Sequence, residues 1–131
     1  MCRKEILTDI KMQLAFLSGN MDRVNSDIKE LEEILKGFPM KLSCWLPKIE
    51  IDSGYCIRIG FSSLINNKWG ILVAHYEKSP ITGDITKQFL LNSPLEFRII
   101  AAKYLDDLLL CYQKNIETYI ILLNSEKGKT S

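Results

Sequence analysis

Residues 6–38, ILTDIKMQLAFLSGNMDRVNSDIKELEEILKGF, place apolar side chains in an unbroken 3-4-3-4 rhythm: Leu7, Ile10, Leu14, Leu17, Met21, Val24, Ile28, Leu31 and Leu35, with Phe38 as a tenth. Side chains recurring every 3.5 positions lie along one seam of an α-helix, and four heptads of them predict a long helix packed lengthwise on other helices. The helix is expected over 5–36, ending at Gly37 with Pro39 just beyond, the usual order of a helix terminus. Gly19 falls opposite the seam, where it weakens the helix by about 1 kcal/mol relative to Ala without breaking the packing line. Met12 and Phe16 form an i, i+4 pair off the seam. A helix with two apolar faces calls for two neighbours. At ~1.5 Å per residue it spans about 45 Å, more than the ~36 Å diameter of a compact chain of this length, so part of it must overhang.

Downstream the period changes from 3.5 to 2. Ile49 and Ile51 alternate, as do Ile57, Ile59 and Phe61, and then Trp69, Ile71 and Val73, with Ser53-Gly54 and Asn66-Asn67 as turn signals. This pattern predicts a three-stranded antiparallel meander within 41–91. Its opposite face offers Arg58, Gly60, Gly70, Leu72, Ala74 and Tyr76, and Ser79 to Asp84 reads as a loop. Ser93-Pro94-Leu95-Glu96 then has the form of a capping box with Pro at the first helical position, opening a second long helix over 94–124. One line of that helix carries Ala102, Leu105, Leu109, Tyr112, Ile116, Tyr119 and Leu123, and another Phe97, Ala101, Tyr104, Leu108 and Cys111. The polar residues 125–131 read as a disordered tail. The expected fold class is α+β, with a single domain over 1–124.

Composition narrows the function. The 131 residues are 47% hydrophobic and 25% charged, with a net charge of +1, so no global field draws the chain to nucleic acid or an anionic membrane. No apolar run reaches the ~18 residues of a membrane span and the amino terminus lacks a signal-peptide core, which gives a cytoplasmic expectation. Cys2, Cys44, Cys56 and Cys111 form no CxxC pair, and no metal site or cofactor is expected. His75, the one histidine, continues the Trp69-Ile71-Val73 face at a strand end and is expected to be structural. No nucleophile, phosphate-loop, dinucleotide or metalloprotease motif is present, and no catalytic residue is assigned.

The expectation is therefore a non-enzymatic protein-interaction module that associates with itself, as a homodimer or a higher oligomer, through Leu7, Ile10, Leu14, Leu17, Met21, Val24, Ile28 and Leu31. A second protein is the expected partner. Arg58, Lys68, Arg98 and Lys103 are candidate contacts for a partner or an anion, Arg98 because it sits one turn into a capped helix. The alternative is nucleic-acid binding on a basic and aromatic surface formed by the sheet and the start of the C-terminal helix, with Trp45, Trp69, Tyr55 and Tyr76 as a stacking platform and Arg58, Lys48 and Lys68 nearby. In size and layout, with no shared motif, the chain resembles small accessory proteins of phages and mobile elements, among them inhibitors that bind a host protein.

Overall fold

The computed structural model describes residues 2–52, 54–77 and 85–129, with the side chains of Asp52, Glu77 and 126–129 excepted. The loop expected at Ser79 to Asp84 lies outside the described residues. The protein is α+β: helix α1 (Arg3–Lys36) is followed by five antiparallel strands and two further helices, α2 (Leu95–Ala102) and α3 (Leu105–Lys129). No helix among the described residues is long and apolar enough to cross a membrane.

Helix α1 runs unbroken through Gly19, where the Asn20 side-chain amide donates to the Phe16 carbonyl at 2.8 Å. The three expected strands are present as β2 (Ile49–Asp52), β3 (Tyr55–Leu64) and β4 (Lys68–Glu77). Asn66 and Asn67 make the β3–β4 turn with φ of 67° and 57°, left-handed values that asparagine tolerates better than most residues. The meander is widened by β1 (Cys44–Trp45), which pairs with β3, and β5 (Ile85–Phe89), which pairs with β4. Both additions were hidden: β1 has two residues, and β5, ITKQF, carries no apolar alternation.

Ile57, Ile59, Phe61, Ile71 and Val73 face the helices and form the core with Ile28, Leu31, Leu35, Phe97, Ala101, Leu108 and Tyr112. At the end of β5 the Ile71 N–H no longer has a strand beside it, and the Glu32 carboxylate accepts it at 2.9 Å. A side chain from α1 thereby satisfies the β4 amide just beyond the reach of β5.

Three expectations at the carboxy-terminal end are corrected. The helix over 94–124 is two helices, broken at Lys103-Tyr104, where backbone bonds of the tighter i to i−3 type replace the α-helical pattern. The break lets α2 pack on α1 while α3 packs on β1 and β3. The capping box does not form: the Ser93 hydroxyl donates back to the Leu90 carbonyl at 2.6 Å, finishing the short 3-10 turn Leu90–Asn92, and Pro94 takes the N-cap position. The backbone also stays helical to Lys129, past the expected end at Asn124 and into the stretch read as a disordered tail.

Candidate interaction surface

The seam of α1 divides at Met21. Ile28 and Leu35 are 0% exposed, Met21 and Leu31 are buried and Val24 is half-buried; Val24, Ile28, Leu31 and Leu35 pack into the sheet core of their own chain. Met21, Val24, Ile28 and Leu31 are thus covered or half-covered within their own chain. Residues 2–20 are exposed without exception. Leu7, Ile10, Leu14 and Leu17 lie open to solvent on this arm, and the off-seam Phe16 is 75% exposed.

Helix α3 has the same division. Leu108 and Tyr112 are buried, whereas Ile116, Tyr119, Ile120, Ile121, Leu122 and Leu123 are all exposed. The run from Ile120 to Leu123 wraps every side of the helix, so one neighbour cannot cover it.

Tyr112 fixes where α3 departs. Its hydroxyl donates to the Met40 carbonyl and accepts the Leu42 N–H, each at 3.2 Å, and its ring lies 5.9 Å from that of Phe38. One turn on, the Asn115 amide donates to the Ser43 carbonyl at 2.6 Å. Between this pinned segment and the emerging helix lies an apolar groove of about 900 Å³, lined by Phe38, Met40, Leu42, Ile116, Tyr119 and Leu123 among others. Phe38, the tenth residue of the seam, thus serves the groove and not a continuing helix.

The total exposed area is large for a chain of this mass. The chain exposes 9491 Å², whereas a compact monomer of 15.1 kDa exposes about 7,100 Å². The excess is about 2,400 Å², and much of the surface that the arms present is apolar.

The charged candidates do not gather. Arg98 is committed within the chain, its guanidinium donating to Asn25 Oδ1 at 2.8 Å and to the Ser93 carbonyl at 3.1 Å. Lys103 is exposed at the α2–α3 break, and Lys68 borders a separate hollow with Lys36, Lys41 and Trp69. Only Arg58 belongs to the outer sheet face, where its Nε donates to the Leu46 carbonyl at 2.8 Å. There Arg58 and Lys87 both lie over the Trp45 ring, at 5.9 and 5.4 Å from its centroid, and Lys48 sits 5.1 Å from the centroid of the Tyr76 ring. Burial raises the Tyr76 pKa, and the nearby Arg58 opposes the shift. Trp45 lies over Gly60 so closely that a Cβ there would fall 2.4 Å from the ring. Glycine at position 60 thus makes room for the tryptophan.

His75 is half-buried and lies against two aromatic rings, 5.2 Å from both Tyr55 and Phe97. Cys44 and Cys56 are buried, Cys111 is half-buried and Cys2 is exposed, all free. Burial pushes the Cys44 thiol up to about 11, with the Cys111 thiol beside it acting in the same direction. Among the described residues no cluster of histidine, cysteine or carboxylate groups has the makings of a metal site.

Comparisons with protein-family models, with curated proteins and with solved structures found no match. The fold and its surface define an α+β body, a sheet backed by helices, from which two apolar helical arms project.

Proposed function

We propose that the protein is a non-enzymatic interaction module whose working surfaces are the two arms, serving both self-association and the capture of a partner protein. The observation that carries this reading is the concentration of exposed apolar side chains on residues 3–20 and 116–123. Contiguous apolar patches on monomers seldom exceed ~300–600 Å², and larger ones mark interaction sites. A partner's apolar helix or groove is the matching chemistry, since an amphipathic helix binds through anchors at i, i+3, i+4 and i+7. Inhibition of a host protein by a phage-like accessory protein is one biological role consistent with such a surface.

Affinity capture from host lysate tests the reading when nuclease and moderate salt are included. The expected result is a protein partner retained by the wild type and lost from both Phe16→Asp and Ile121→Asp, with the circular dichroism of each variant unchanged. Retention by both variants would remove the arms from the function.

The aromatic and cationic sheet face supports a second reading, nucleic-acid binding, through Trp45, Arg58, Lys87, Lys48 and Tyr76. Affinity for single-stranded DNA or RNA that falls steeply with salt and is lost in Arg58→Ala/Lys87→Ala would favour it.

A further inference from the structure

We infer that the exposed arm of α1 occupies the α3 groove of a second copy of this chain, and that the exchange is reciprocal in a two-fold dimer. The inference rests on the reading of the arms as interaction surfaces and goes on to name what fills one of them.

The spacing of the two seams is the first argument. Outward from the body, the α1 arm presents Leu17, Leu14 and Ile10, in steps of three and then four. The α3 arm presents Ile116, Tyr119 and Leu123, also in steps of three and then four. Antiparallel helices stay in register when one index rises as the other falls. Leu17 then meets Ile116, Leu14 meets Tyr119 and Ile10 meets Leu123. Along this register residues 4–17 face 116–129, two segments of equal length, each about 21 Å long.

Geometry excludes the same pairing within one chain. The α1 arm leaves the body beside α2, where Asn25 holds Arg98, and α3 leaves at Asn115 beside the other end of α1. The stretch of α1 between these exits, Met21 to Lys36, is about 24 Å long. A two-fold axis across the body reverses a second copy, bringing its α3 arm alongside the first copy's α1 arm and the converse at the far end. Such an isologous arrangement closes and does not grow into a filament.

Area is the third argument. A stable interface removes about 800 Å² from each partner, and the excess of about 2,400 Å² per chain over a compact monomer exceeds that requirement. The groove walls, Phe38, Met40 and Leu42, supply the flank against which a partner helix would seat.

The test uses the full chain with Cys2→Ser as background. Leu14→Cys and Tyr119→Cys are placed on separate, differently tagged chains and coexpressed, so any bond between positions 14 and 119 must join two molecules. Under mild oxidation the mixed-tag dimer is expected to predominate on non-reducing gels, with little linking in either variant alone, and light scattering is expected to give a mass of two chains. Both positions are exposed, and circular dichroism of each variant verifies the fold. Dominant linking of Leu14→Cys to itself, a dimer without the 14–119 link, a four-chain mass or a monomer at micromolar concentration would each overturn the exchange. Loss of partner capture in Phe16→Asp is measured separately, so the exchange can fail while the interaction-module reading stands.

Discussion

The two halves of α1 carry one heptad rhythm and meet opposite fates. From Val24 to Leu35 the seam is pressed against a sheet in its own chain, with Ile28 and Leu35 fully enclosed. From Leu7 to Leu17 the same rhythm faces water. A heptad seam therefore specifies a face to be covered and says nothing about what covers it. Polar residues near the seam carry the distinction: Glu32 accepts the Ile71 N–H of the sheet and Asn25 holds Arg98. The corresponding turns of the arm contain Met12 and Phe16, side chains that add apolar surface and anchor nothing within the chain.

The largest expected effect separates the two halves. Ile28→Ala should lower stability by about 2–5 kcal/mol, while Leu14→Ala should change it by less than about 0.5 kcal/mol. Urea unfolding in a Leu17→Lys background keeps self-association out of both values, and equal effects would break the contrast. Gly60→Ala comes next, at about 1–3 kcal/mol for displacing the Trp45 ring, read from the unfolding midpoint and from tryptophan fluorescence. Glu32→Ala should follow at about 1–2 kcal/mol, from leaving the Ile71 N–H without its acceptor, and Glu32→Gln should recover much of the loss.

The smallest effect leaves stability alone. With iodoacetamide at pH 8, Cys2 on the arm should react readily and Cys44 in the body very slowly. A thiol ionises to its nucleophilic form only near its pKa, so Cys44 labelling should accelerate only as the pH climbs toward about 11. Mass mapping of the labelled peptides gives both rates.

The α+β class, the extent of α1 and the two faces of the meander were legible because each rests on a period sustained over several residues. Trp69, Ile71 and Val73 point inward and Arg58, Leu72 and Ala74 outward as the alternation requires. What was not legible turned on competition between local partners. Ser93 had a helix to cap and a 3-10 turn to finish, and the turn took its hydroxyl. The break at Lys103-Tyr104 carries neither glycine nor proline, so no residue type announces it. Of the groove, the helical side was legible in part: Ile116, Tyr119 and Leu123 lie on one of the two apolar lines read along the second helix. The flank contributed by Phe38 to Leu42 depends on Tyr112 reaching back 70 residues in the chain, which no local pattern encodes.

Light scattering coupled to gel filtration on the wild type and on Leu17→Lys tests the central claim, that one half of the α1 seam builds the body and the other joins copies. The account predicts twice the 15.1 kDa chain mass for the wild type. It predicts a single chain mass for Leu17→Lys, with circular dichroism and a cooperative unfolding transition retained. A wild type that elutes as a monomer at micromolar concentration, or a Leu17→Lys variant that loses its fold, would contradict it.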